Sequence, residues 1–242
     1  MKNKHKNKNS AFTLIELLIV ISVIAALLAI MIPVLAKARS AAKKVKCAHN
    51  LKQIHLAFDL YTQNNDYAYP CAQDPVLTKP KHIWLWMGRG WRSFVEPYLA
   101  AEKAPKNARI LLCPEDNTDP NKYDDTSYAY SMSFYHSPAQ INSTTNVAQQ
   151  YDSSTVKSSI PQKTVDVKTP QAKILAGEWL SNHKKIKPDN GWWDKNGTGN
   201  YLFADGHINY LPAKKLNTSN DSLKNPNLTK NGIKGCDYPP SE

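Results

Sequence analysis

Residues 11 to 35, AFTLIELLIVISVIAALLAIMIPVL, form an apolar run that contains one acid, Glu16, and no basic residue. About 20 apolar residues in a helix are enough to cross the hydrocarbon of a bilayer. The run therefore forces one element of the fold to lie in an apolar medium. Ahead of it stands the short polar leader MKNKHKNKNS. A secretory signal peptide has an apolar stretch of about 7 to 15 residues with its cleavage site behind it. Here the processing junction precedes the apolar segment, so the mature chain keeps its greasy helix. An uncleaved single-pass anchor would share that composition, but Glu16 separates the two readings. An ionised carboxylate near the bilayer costs several kcal/mol unless it is paired, and such groups usually mark function. Charge does not set the orientation. Lys2, Lys4, Lys6 and Lys8 on one side nearly balance Lys37, Arg39, Lys43, Lys44 and Lys46 on the other.

The segment Ala11-Phe12-Thr13-Leu14-Ile15-Glu16 resembles the cleavage and methylation signal of type IV prepilins and type II secretion pseudopilins. The resemblance implies a cut between Ala11 and Phe12 by prepilin peptidase, followed by N-methylation of Phe12. Glu16 becomes the fifth mature residue and Pro33 the twenty-second, where the family has them. One departure is that Ala11 stands where the family usually has Gly, which implies slower or altered processing. The family's peptidase works on the cytoplasmic face. That implies a bacterial inner-membrane, single-pass protein with its C-terminal domain extracytoplasmic, and a periplasmic or surface filament after assembly. Implied partners are the peptidase, other pilin or pseudopilin subunits in a homo- or hetero-filament, the inner-membrane assembly platform and membrane lipid. In a bundle of identical helices, Glu16 of one copy can pair with the Phe12 amine of its neighbour.

Helical periodicity continues past the apolar run. Ala38, Ala41, Val45, Ala48, Leu51, Ile54, Phe58 and Tyr61 recur every three or four residues and predict one apolar stripe on a helix reaching about Asn64. Pro33 is expected to kink or loosen it. Asn64-Asn65-Asp66 and Pro70 stop it. The stretch Cys47 to Ile54 also resembles the second half of that helix in bacterial pseudopilin-like proteins. The chain then divides into a leader (1-11), a transmembrane or filament-core half-helix (12-35), an amphipathic half-helix (36-64) and a globular domain (65-242).

The domain is polar and rich in Pro, Asn, Ser and Tyr. Strands are expected at Ile83 to Trp86, Ala108 to Leu112, Tyr128 to Phe134, Ala172 to Glu178, Tyr201 to Ala204 and His207 to Leu211. A short helix is expected over Trp91 to Ala101 and a long loop over Ser137 to Pro161. Asp205-Gly206 between two apolar runs reads as a hairpin turn, because both residues tolerate positive φ. The wording LFADGH resembles the C-terminal motif of a pseudopilin-like family named for a His, nine residues and Asp-Gly. Here Lys195 occupies the place of that His, so the resemblance is partial. The fold class is α+β: a long N-terminal helix packed on a C-terminal domain with an antiparallel sheet, as in pilins.

Calcium, which some type II pseudopilins bind, would need Asp189, Asp194 and Asp205 to converge. They lack a regular Asp-x-Asp-x-Asp spacing and read better as turn acids. No other cofactor or metal is implied, and neither a Cys-x-x-Cys motif nor a paired His cluster suggests zinc. The four cysteines, Cys47, Cys71, Cys113 and Cys236, allow three pairings or free thiols. The related proteins imply Cys47 with Cys113, which leaves Cys71 with Cys236.

Net charge is +11, and +7 once the four leader lysines are gone. The basic residues gather just past the apolar run without an aromatic platform, which favours lipid headgroups over nucleic acid. Trp84, Trp86, Trp91, Trp179, Trp192 and Trp193 read chiefly as core, with an exposed member expected in the 192-193 pair. His136, His183 and His207 stand isolated. There is no nucleophile elbow, phosphate-binding loop or metalloprotease helix, so an enzyme is not expected. The reading is a pilin-like or pseudopilin structural subunit. The alternative is a membrane-tethered module whose tryptophans recognise a polysaccharide or other surface ligand.

Overall fold

The computed structural model describes residues 13–71, 90–99, 110–116, 126–145, 158–183, 191 and 194–239. The chain divides into two compact units, Met1–Ala42 and Lys43–Glu242.

One helix, α1 (Leu14–Asn64), runs through both units without a break at Pro33. Leu, Ile and Ala supply most of its first half, and all are compatible with a helix once backbone groups must pair internally. It stops as expected near Asn64. Asp66 and Tyr67 turn left-handed, at φ 50 and 58. The Tyr67 amide then donates back to the Thr62 carbonyl at 2.8 Å, which satisfies an orphan acceptor of the last turn.

In the second unit the buried face of α1 carries Cys47, Asn50, Leu51, Ile54, His55, Ala57, Phe58 and Thr62. The expected stripe is thus half right. Leu51, Ile54 and Phe58 are buried, whereas Val45 is 65% exposed and Ala38 and Ala41 are exposed. The stripe continues N-terminally past the point where burial stops. Polar residues share the buried face: Asn50 donates to the Leu112 carbonyl of the domain, while Thr62 donates to the Asp59 carbonyl on its own helix.

The sheet contains four antiparallel strands in the order β1 (Tyr128–Tyr130), β2 (Ile174–Glu178), β3 (Thr198–Phe203) and β4 (Ile208–Pro212). Strands β1 to β3 are buried along their whole length, while β4 is mostly half-exposed. Helix α1 covers part of the sheet: Tyr128 donates its hydroxyl to the Cys47 carbonyl at 3.3 Å, and Phe58 packs on Tyr130 with ring centroids 5.0 Å apart. The C-terminal segment covers another part. Ser131 donates to the Pro226 carbonyl at 2.7 Å, and the Ile174 amide donates to Asp237 at 2.8 Å.

Asp237 also pairs with the fully buried Lys173 at 2.9 Å, and Thr229 bridges the two. Burial pulls the Lys173 pKa below the usual lysine value, and Asp237 offsets part of that pull. Aromatic rings fill the core of a domain short of aliphatic residues. Trp91 stacks on Phe58 at 5.4 Å, and both Trp91 and Trp179 are fully buried, as expected. Trp84, Trp86, Trp192 and Trp193 lie outside the described residues.

Several expectations need correction. The strand expected over Tyr128 to Phe134 ends at Tyr130, where Ser131 caps a short 3-10 turn, Met132–Phe134. Ile110 to Leu112 form a turn, not a strand, so the apolar run there marks burial and not pleating. The expected loop from Ser137 contains a short helix, α3 (Pro138–Asn142), set by a Ser137/Gln140 capping box with Pro at its start. The helix expected over Trp91 to Ala101 is split: α2 (Trp91–Val95), numbered before α3 in chain order, passes into a 3-10 turn, Glu96–Tyr98. The strand expected at Ile83 to Trp86 lies outside the described residues.

Candidate functional site

Among the described residues, three features concentrate chemistry: the start of α1, the hairpin turn and a buried cluster around a disulfide.

At the start of α1, Thr13 and Glu16 form a reciprocal cap. The Thr13 amide and hydroxyl donate to Glu16 Oε2 at 2.9 and 2.7 Å, and the Glu16 amide donates to Thr13 Oγ1 at 3.3 Å. This is a capping box, which satisfies orphan amides of the first turn. Ser22, the next polar residue, donates its hydroxyl to the Ile19 carbonyl at 2.8 Å. Every polar side chain from Thr13 to Leu35 therefore has a partner on its own helix. The apolar side chains do not: from Leu14 to Leu35 the large ones are 46 to 84% exposed. Those 22 residues span about 33 Å at about 1.5 Å per residue, close to the thickness of a bilayer's hydrocarbon. This helix is long and apolar enough to cross a membrane. Ala11 and Phe12 lie outside the described residues.

Just past this stretch, two of the five basic residues are engaged. Lys43 pairs with Glu115 at 3.3 Å, and the Lys44 ammonium sits 4.5 Å from the centroid of the Tyr210 ring.

The hairpin between β3 and β4 forms as expected, but its turn works differently. Gly206 has φ +83, while Asp205 is not among the residues of positive φ. The Gly206 amide donates to the Phe203 carbonyl and the Phe203 amide to the His207 carbonyl, both at 2.9 Å. Asp205 acts through its side chain, accepting from the His207 amide at 3.1 Å and contacting its Nδ1 at 2.6 Å. Gly206 is required twice over, because a Cβ there would sit 2.1 Å from His55 Nε2 on α1. Lys52 on α1 donates to the Gly206 carbonyl at 2.9 Å, so the turn is clasped to the helix.

Asp194, like Asp205, serves its own turn, accepting from the Asn196 amide at 2.8 Å. Asp189 lies outside the described residues. Among the described residues, the one group of three or more His, Cys, Asp or Glu donors close enough to share an ion is a different set: Cys47, Cys113, Glu178 and His183. Cys47 and Cys113 are joined by a disulfide with Cα atoms 5.2 Å apart, the pairing that the resemblance implied. Cys71 and Cys236 are half-buried thiols and are not bonded to each other. Their neighbours hold them to different elements: Pro70 accepts from Tyr130 at 3.0 Å, and the Asp237 amide donates to Ala172 at 2.8 Å.

Against the disulfide lies a buried acid-base pair. His183 Nε2 is 2.8 Å from Glu178 Oε1 and 3.5 Å from Cys113 Sγ, and both side chains of the pair are at most 1% exposed. Asn200 fixes the carboxylate, its amide donating to Oε2 and its side chain to Oε1, each at 2.9 Å. Glu178 and His183 stand only five residues apart, but nothing local marks them as a pair; Asn200 and the disulfide reach them only through the fold.

A long N-terminal apolar helix with a capped acid, continuing into an α+β domain with an antiparallel sheet, defines a pilin-like architecture. Residues 6–32 match the family model described as the prokaryotic N-terminal methylation motif. The chain therefore carries a prepilin-type N-terminal methylation motif. No curated protein and no solved structure matches it.

Proposed function

We propose that the chain is cut by prepilin peptidase between Ala11 and Phe12, methylated at Phe12, and assembled through α1 into a type II secretion pseudopilus or a type IV pilus-like filament. The observation that carries this reading is a methylation motif fused to a helical stretch, Leu14 to Leu35, whose polar side chains are satisfied on the helix itself and whose large apolar side chains are exposed. Exposed apolar surface of that extent calls for lipid or for neighbouring helices. Lipid covers it in the free subunit, and other copies cover it in the filament. Glu16 exchanges the Thr13 hydroxyl for the Phe12 amine of a neighbour, which neutralises two charges inside an apolar bundle and fixes the register. The domain from Lys43 onward lies on the extracytoplasmic side, where the Cys47–Cys113 disulfide is stable.

Intact mass and N-terminal sequencing of the chain recovered from membranes, with and without active peptidase, test the reading. The expected product starts at N-methylated Phe12 and appears only with the peptidase. An intact Met1 in both samples overturns it. Replacement of Glu16 by Gln should then abolish filament incorporation while leaving cleavage intact. The alternative of a tryptophan-bearing binding module receives no support from Trp91 and Trp179, both of which are buried.

A further inference from the structure

We propose that Cys47, Cys113, His183 and Glu178 form a second, metal-loaded state of the same site, which takes one zinc ion whenever the disulfide is reduced. The four donor atoms already lie within 4.8 Å of one another. Ligands at the usual zinc distances stand roughly 3.3 to 3.8 Å apart along the edges of a tetrahedron. His183 Nε2 to Cys113 Sγ, at 3.5 Å, and Cys113 Sγ to Glu178 Oε1, at 3.9 Å, are close to such edges. Reduction frees the two sulfurs to part and opens the remaining space.

The donor chemistry suits zinc, with two soft thiolates, one imidazole and one carboxylate. The supports are those of a built site. Cys47 is on α1, Glu178 on β2 and His183 on the turn that follows, and all four donor side chains are buried. Asn200 holds both oxygens of Glu178, as an outer-shell partner of a metal ligand does. Both contacts of His183 Nε2 are to members of the group, so this nitrogen faces the ion's position.

The chemistry balances simply. A dithiol reductant transfers two electrons and two protons to the disulfide, becoming a disulfide itself and leaving two cysteine thiols. Zinc then displaces both thiol protons to solvent and binds Nε2 of neutral His183, whose ring proton resides on Nδ1. The disulfide and the metal are therefore mutually exclusive.

The test uses the full chain in detergent with Cys71→Ser and Cys236→Ser, reduced with dithiothreitol, freed of it without oxygen, and titrated with cobalt(II). The expected result is one equivalent bound, with thiolate-to-cobalt charge transfer and the intense visible bands of a tetrahedral ion, both bleached by one equivalent of zinc. His183→Gln and Glu178→Gln should each weaken binding by about tenfold or more. The oxidised chain should bind none. A folded reduced chain without these bands overturns the proposal, as do bands unchanged in His183→Gln or present in the oxidised chain. If the reduced chain unfolds, zinc must restore its near-ultraviolet circular dichroism, and failure to do so overturns the proposal equally.

Discussion

The two units of the chain solve opposite problems. From Leu14 to Leu35 each polar side chain is satisfied and each large apolar one is exposed. From Lys43 onward a large apolar cluster is enclosed, and buried polar groups tie segments together, as when Asn50 donates to the Leu112 carbonyl at 3.0 Å. The first unit is incomplete without an apolar environment, whereas the second completes itself. One chain thus carries a surface addressed to others and a body addressed to itself, and substitutions should affect one without the other.

The largest separation is expected from Phe58→Ala, which removes the ring stacked on Trp91 and Tyr130. It should cost the domain about 4 kcal/mol in a denaturant titration while leaving membrane retention unchanged. Ile24→Lys should do the reverse. It should weaken insertion by about 3 kcal/mol, read as loss from alkaline-washed membranes, with the domain's melting temperature unmoved. Either substitution acting on both readouts breaks the comparison.

Gly206→Ala should destabilise the domain by roughly 2 to 3 kcal/mol, because it combines left-handed strain with the collision at His55. His55→Ala should recover the part due to collision and not the part due to φ, which a double-mutant cycle separates. The smallest effect is that of pH. Burial holds the His55 pKa below 6.5, with Asp59 opposing and Lys52 reinforcing the shift. Below pH 6.5 the unfolded chain then takes up a proton that the folded chain refuses, so stability should fall as pH drops from 6.5 towards the depressed value. His55→Gln should flatten that segment of a stability profile.

Legibility in the sequence followed the range of the interaction. The apolar run, its acid, the helix stop and the Asp205-Gly206 hairpin rest on contacts a few residues apart, and each could be read directly. The disulfide partner of Cys47 came from resemblance alone, since spacing leaves every pairing open. How far the buried stripe of α1 extends was not readable, because Ala38, Ala41 and Val45 continue its period but are exposed. The Glu178–His183 pair was invisible for a stronger reason. His183 looks isolated in sequence and becomes a buried partner only when β2 and β3 place Glu178 and Asn200 beside it.

The Thr13–Glu16 cap bears on how such a subunit waits. A carboxylate held by its own helix start does not sit in lipid as a bare charge, so a reserve of subunits can be stored in the membrane without being driven to aggregate. Joining a neighbour trades one set of hydrogen bonds for another. On the proposed assembly into a filament, growth and retraction would then be nearly balanced exchanges.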